Sequence, residues 1–365
     1  MKIILVGFGK IMYMPYMNFY MNQLNPEKDE IHVIYWSRDK KLDASLPENV
    51  VGHAFESEME DAEPLKNKIP RFIKYRKFAK RVLKSENPDL LVIMHSTPGV
   101  VLWDLLRKKY KKKYIFDYRD FTYENISIYK KIISDLTKNS IVTFVSSDGF
   151  RKVLPEEKNI YTSHNIMCNA RQINEKYIGR NLKSEGVIKI GFWGLIRHYD
   201  INKCLIEKIA NDSRFELHYF GRVQGRTEEF LKESISKYDN IFYHGEYTPE
   251  ERYEFCKKID IIHNMYDKIG TITYAMGNKY YDGLVFNMPQ LCTKDTYMGD
   301  VVEEKGVGLA CNPYEEEFLD KVYNYYRNLQ EDKFEKSCQD ELNLVLNQMD
   351  EGNKIIRNII ENNVE

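Results

Sequence analysis

The chain has 365 residues, 43% of them hydrophobic and 30% charged, which excludes a disordered or collagen-like polymer and is enough for two α/β domains of roughly 150 to 200 residues each. Its 54 basic and 55 acidic side chains leave a formal net charge of −1, which excludes nucleic-acid binding through overall charge, so any basic function is local. The six cysteines form no Cys-x-x-Cys pair and read as buried thiols of a reducing compartment; no apolar run approaches a membrane helix and the first strand is too short for a signal peptide, so a cytoplasmic protein is expected.

Short β-branched runs alternate with helical stretches from the start, the pattern of parallel sheets built from strand-helix-strand units. In the first half, strands are predicted at KIILVG (2–7), IHVIYW (31–36), DLLVIMH (89–95), KYIFDYR (113–119), IVTFVS (141–146) and NIYTSHN (159–165), with helices between them, for example over 15–24 and 70–84. The polar stretch NLKSEGVIK (181–189) leads into IKIGFWG, a fresh strand that reads as a domain restart. FELHYFG (215–221), NIFYHGEY (240–247), IDIIHNMY (259–266), MPQLCT (288–293) and GVGLACN (306–312) follow as strands, with helices over 249–257 and 279–286; everything after Glu315 reads as helical. The economical reading is α/β: two Rossmann-like parallel-sheet domains, 1–180 and 181–348, with a C-terminal helix at 349–365 packing back toward the first and a ligand in the central cleft they face.

The first strand runs into Gly7-Phe8-Gly9. A dinucleotide fingerprint needs a third glycine where this chain has Met12, although the second strand does end in Arg38-Asp39. A tight strand-to-helix turn is the better reading. The second half carries more. Gly194 and Arg197 follow one strand, Gly221 and Arg222 the next, and Gly245, Glu246 and Tyr247 a third, all at one carboxyl sheet edge, where open α/β proteins bind ligands. In AMGNKYYDGLVF, Gly277-Asn278 reads as a helix entry capped by Asn278, and Lys279 beside free helix amides suits a diphosphate. Asp282, one turn on, either accepts hydrogen bonds from ribose hydroxyls or merely complements the helix dipole.

These motifs, with YHGEYTPEERYEFCKKIDIIHNMY, GNKYYDGLVFNMPQL and GVGLACNP, and with IFDYRDFTYEN and FVSSDGF in the first half, resemble the GT-B glycosyltransferases, most closely the retaining family 4 type of bacterial capsule and O-antigen sugar transferases. The resemblance implies an acceptor-binding first domain and a second domain that binds a sugar nucleotide. Arg197 matches the residue that pairs with the diphosphate; Lys203 is its second basic partner or an exposed helix lysine. Gly245 to Tyr247 match the nucleobase loop, Asn278 and Lys279 the phosphate-facing helix start, and Asp282 the second of two glutamates, which binds the ribose. The first of that pair falls at Tyr274, so the usual contact to the transferred sugar is absent. Asp120 matches an acid at a strand end that orients or deprotonates an acceptor hydroxyl, unless it pairs with Arg119. His95 and His164 also end strands, where packing roles are commoner.

The activity implied is transfer of a sugar from a nucleotide-sugar donor to a polysaccharide or lipid-linked oligosaccharide in capsule or cell-surface glycan synthesis, with retention of anomeric configuration. Arg197, Lys279 and helix amides would stabilise the leaving nucleoside diphosphate in place of a metal, and no Asp-x-Asp motif is present. A silent GT-B binding subunit and a GT-B nucleotide-sugar epimerase are the alternatives. From Lys66 to Lys113, fifteen Lys or Arg face three acids. Over 70–84, Ile69, Phe72, Ile73, Ala79, Val82 and Leu83 are expected on one face and the cations on others, which suits either an anionic membrane surface, with the protein peripheral on its inner face, or a solvated helix.

Overall fold

The computed structural model describes residues 1–39, 41–60, 63–180, 182 and 186–362. The chain forms two compact units, Met1–His164 with Leu346–Glu365, and Asn165–Val345. In the first, β1 (Lys2–Val6), β2 (Glu30–Ser37), β3 (Val50–Glu56), β4 (Leu90–Met94), β5 (Tyr114–Tyr118), β6 (Val142–Val145) and β7 (Ile160–Thr162) form a parallel sheet in the order β3-β2-β1-β4-β5-β6-β7. In the second, β8 (Ile188–Trp193), β9 (Phe215–Phe220), β10 (Ile241–Tyr243), β11 (Ile261–Asn264), β12 (Gln290–Thr293) and β13 (Gly308–Cys311) form another, in the order β10-β9-β8-β11-β12-β13. Strand order reverses beside β1 and beside β8, the switch points at which doubly wound sheets take ligands.

The helices are α1 (Met17–Met21), α2 (Leu65–Glu86), α3 (Ser96–Lys108), α4 (Ser127–Asn139), α5 (Ala170–Asn174), α6 (Tyr199–Ile209), α7 (Arg226–Lys237), α8 (Arg252–Phe255), α9 (Asn278–Val285), α10 (Tyr297–Lys305), α11 (Phe318–Arg327) and α12 (Glu331–Asn362). Up to Val345, α12 belongs to the second unit, where Glu341 accepts from the Tyr280 hydroxyl at 2.7 Å. Beyond it, Ile356 and Ile360 join the first unit's core, and Gly352 lies so close to Phe19 that a Cβ would sit 2.8 Å from its ring.

Four sequence expectations need correction. Strand β3 went unread because it is half exposed and lacks a continuous apolar run. Helix α2 begins at Leu65 and carries Pro70 inside it rather than at its entry; an otherwise well-formed 22-residue helix absorbs the lost amide donor near its first turns. Ile69 and Ile73 are 47% and 49% exposed rather than in the core. The first domain, expected to reach 180, gives up 165–180 to the second unit. There Asn174 Nδ2 donates to the carbonyls of Leu284 and Val285 (3.3 and 3.0 Å), Tyr177 packs on Phe286, and Arg180 donates to the Cys256 carbonyl at 2.8 Å. Within the polar stretch that follows, Asn181 and Lys183 to Glu185 lie outside the described residues.

Candidate functional site

Three neighbouring strands of the second unit, β8, β9 and β10, run out into glycines with positive φ: Gly194 (114°), Gly221 (121°) and Gly245 (81°). At Gly221 this is obligatory, since a Cβ would sit 2.0 Å from the Gly194 carbonyl oxygen. The backbones continue the sheet past the strand ends, Gly194 N–H donating to the Phe220 carbonyl (3.0 Å) and Gly221 N–H to that of Gly245 (2.6 Å). The result is a side-chain-free ledge at the carboxyl edge. Beside it Arg197 and Arg222 are exposed and make no ion pair among the described residues, and Glu246 is exposed on the next loop. Tyr247 packs edge-on against Phe255 at 5.2 Å, and burial pushes its hydroxyl pKa up to about 12.

Across the switch point, α9 starts against the end of β11. Gly277, not Asn278, occupies the cap position, because a side chain there would press on Asn264 Oδ1 at 3.3 Å. Asn278 is the first helical residue and is exposed. No side chain caps this helix, so its first amides are left for another acceptor. Lys279 is only 7% exposed. Its Nζ donates to the Tyr266 hydroxyl at 2.5 Å and lies 3.9 Å from the centroid of the Phe192 ring. Burial pulls its pKa from the usual 10.5 down to about 7, against the weaker opposing pull of Asp282. The same desolvation, with the Lys279 charge nearby, keeps His263 neutral, its pKa lowered to about 3.

Asp282, predicted to face a ribose, is buried. Trp193 Nε1 donates to its Oδ2 at 2.7 Å, and Arg252 pairs with its Oδ1 at 3.1 Å. Burial raises its pKa, while Arg252 opposes the rise. Arg252, Trp193 and Tyr266 were missed by sequence reasoning because they meet α9 only in three dimensions. Lys203 lies on α6 and pairs with Glu207 at 3.8 Å, the exposed-helix alternative. Tyr274 follows a 3-10 turn at the first glutamate's position and offers no carboxylate.

In the first unit the GFGK turn is filled from within. Lys10, 2% exposed, donates to Asp39 at 2.7 Å and to the carbonyls of Lys41 and Leu42 at 2.9 Å, while Asp43 accepts from the amides of Ile11 and Met12. Asp39, the acid a dinucleotide ribose would need, is thereby engaged, and Gly9 lies in the same turn with its carbonyl accepting from Trp36 N–H at 3.1 Å. Arg119 Nε donates to the buried Asp117 at 2.9 Å. Asp120 accepts from His95 Nε2 at 3.2 Å, while His95 Nδ1 accepts from Thr97 N–H. His95 has a φ of 92°, a strained backbone for a residue with a side chain. His164 is hydrogen-bonded to Gln348 at 2.6 Å, and burial lowers its pKa.

Among the described residues, one group could hold a metal ion: His32, His53 and Glu86. It lies toward the amino ends of the strands. Lys2 Nζ already bridges Glu30 and Glu86 there at 2.8 and 3.0 Å, and His32 and His53 share an N···N hydrogen bond of 2.8 Å. The second unit repeats the chain as Glu216, His218 and His244.

No family model matches the chain, and no curated relative is found. Solved structures do match over its full length. Sucrose-phosphate synthase (tll1590) from Thermosynechococcus elongatus is 10% identical with a TM-score of 0.70, and the match covers 99% of each chain. Anabaena Alr3699/HepE in complex with UDP and glucose is 12% identical with a TM-score of 0.65, again over 99% of each chain. The lipopolysaccharide outer core galactosyltransferase WaaB, in its apo form, is 12% identical with a TM-score of 0.66, over 97% of this chain and 99% of that one. At such identities the likeness establishes the fold, which is GT-B: two Rossmann-like parallel-sheet domains in one chain.

Proposed function

We propose that the chain is a glycosyltransferase that takes a sugar from a nucleoside-diphosphate donor held at the carboxyl edge of its second unit. The observation that carries this reading is Lys279, a lysine buried without a carboxylate hydrogen-bond partner among the described residues, at an uncapped helix start and on the same sheet edge as the glycine ledge. A diphosphate would supply the missing counter-charge, accept from the α9 amides and meet Arg197. In the transition state these groups would stabilise charge gathering on the leaving diphosphate. The ledge leaves room for the nucleotide's backbone contacts, with Gly245 to Tyr247 against the base. Asp282, held by Trp193 and Arg252, is the ribose acceptor in this reading. The His95–Asp120 pair is the group of the first unit suited to orient an acceptor hydroxyl, on a glycan or lipid-linked oligosaccharide. HepE, solved with UDP and with UDP-glucose, lends support to the donor class, and retention and a role in cell-surface glycan synthesis rest on the family resemblance. Tyr274 favours one rival, a subunit that binds the donor without turning it over. Release of nucleoside diphosphate from a panel of UDP-, GDP-, ADP- and CMP-sugars, with and without membranes, separates the two.

The acceptor side bears on membranes. On α2, Ile69 and Ile73 stand exposed one turn apart among Lys66, Lys74, Lys77 and Arg81, all on the helix's outer stripe. Arg76 and Lys80 instead pair with Asp104 at 2.9 and 2.7 Å. Exposed apolar residues ringed by cations that make no ion pair among the described residues suit the surface of an anionic bilayer, on which a lipid-linked acceptor would be reached.

A further inference from the structure

The second unit holds a pocket of about 260 Å³ at the carboxyl ends of β11, β12 and β13. We propose that it binds a neutral pyranose ring. Its lining charges cancel, Asp267 and Asp295 against Lys268 and Lys294. An anion would meet the two carboxylates, and an apolar ligand would make no use of the polar groups that line it. A sugar hydroxyl both donates and accepts, and the pocket offers both functions. Asp267 Oδ2 is held 3.4 Å from His198 Nδ1, and Asp295 receives Lys268 Nζ at 2.7 Å, so each carboxylate is oriented yet keeps accepting capacity. Asn312 Oδ1 accepts from Tyr314 N–H at 3.2 Å, which leaves the side-chain NH₂ to donate. Tyr314 is 58% exposed and offers an aromatic face to the C–H side of a ring. The volume lies below the ~300 Å³ at which drug-sized sites begin and suits one ring rather than a chain of them.

The pocket shares a wall with the phosphate-facing lysine, since Tyr266 lines it and accepts from Lys279 through its hydroxyl. Asp267 and Asp295 are therefore placed to supply the carboxylate contact that Tyr274 cannot. Two sources of the ring share this chemistry: the sugar of a nucleotide-sugar donor, or the terminal residue of a free glycan. The first source rests on the function proposed above; the second does not.

The test uses the full chain with UDP, UDP-glucose, UDP-galactose and the corresponding methyl glycosides. Nucleotides are followed by calorimetry and glycosides by saturation-transfer NMR at millimolar concentration. Asp295→Asn and Tyr314→Ala alter the pocket mouth, with thermal melting as the check on folding. Should the ring come from the donor, both variants weaken a UDP-sugar about tenfold and leave UDP unchanged. For a free glycan, both abolish the glycoside signal and leave UDP-sugar affinity unchanged. Sugar binding that survives in both variants, or a parent protein with no sugar-dependent signal from any probe, overturns the proposal. A parent that binds glycosides but neither UDP nor UDP-sugars would count against the UDP donor while keeping the pocket.

Discussion

Among the described residues each unit buries one lysine beside a carboxyl sheet edge, and the two are in opposite states. Lys10 has a carboxylate and two carbonyls within 2.9 Å. Lys279 has a phenol and an aromatic face. A buried cation whose donors are matched by its own chain does structural work; one left without a counter-ion is unfavourable until something anionic arrives. The same fold thus offers two helix entries, one closed by its own loop and one without a capping side chain. That difference separates the GFGK turn from the GNKYYD helix start more sharply than any glycine count.

The strongest way to break the comparison is to remove each charge in turn. Lys10→Met should lower stability by about 1 kcal/mol, by removing the donor to two carbonyls, and leave nucleotide affinity alone once the protein is folded. Lys279→Met should be no less stable than the parent yet lose nucleoside-diphosphate binding by about a hundredfold, the ~3 kcal/mol upper end for hydrogen bonds to a charged group. Denaturant melts and calorimetry read both, and matching behaviour of the two variants would erase the distinction.

Asp282→Asn comes next. It leaves the partly buried Arg252 without its counter-charge and should cost roughly 1–3 kcal/mol in a urea melt. A variant as stable as the parent would mean that the ion pair contributes little.

The pH dependence sharpens the picture. Folded Lys279 gives up its proton near pH 7, whereas the unfolded chain keeps it to about 10.5. The unfolded state therefore binds more protons between those values, and the free protein should gain stability as pH rises from about 7 toward 10. Diphosphate binding, which restores the proton, should weaken by up to about tenfold per unit above pH 7. Both slopes should vanish in Lys279→Met.

Smaller effects are expected at the rim. Arg197→Ala should weaken donor binding about tenfold, the ~1.4 kcal/mol expected of a charge-assisted contact, whereas Lys203→Ala, which removes a surface pair with Glu207, should change it less than threefold. On the acceptor side, Ile69→Asp with Ile73→Asp should cut flotation with anionic liposomes and leave melting almost unchanged, since both residues are about half exposed. Undiminished flotation would count against the membrane surface.

Much of this was legible in the sequence, for definite reasons. Buried parallel strands read as continuous apolar runs, so twelve of the thirteen described strands, all but half-exposed β3, stand where apolar runs predicted them. The glycines closing β8, β9 and β10 were readable as strand ends, and Lys279 as a residue in the first turn of a helix. What could not be read were partners distant in sequence. Trp193 reaches Asp282 across 89 residues and Arg252 across 30, and no local pattern records either. Nor could periodicity tell which apolar side of α2 faces the core: Tyr75, Ala79, Val82 and Leu83 do, and Ile69 and Ile73 do not.

The central claim, that the open turn of the second unit holds a nucleoside diphosphate, is tested most directly by thermal melting of the parent and of Lys279→Met against UDP-, GDP-, ADP- and CMP-sugars. At least one of them should raise the melting temperature of the parent by mass action, and none should raise that of the variant even though the variant is as stable alone. A stabilisation that survives in Lys279→Met, or a parent that none of the four stabilises, would contradict it.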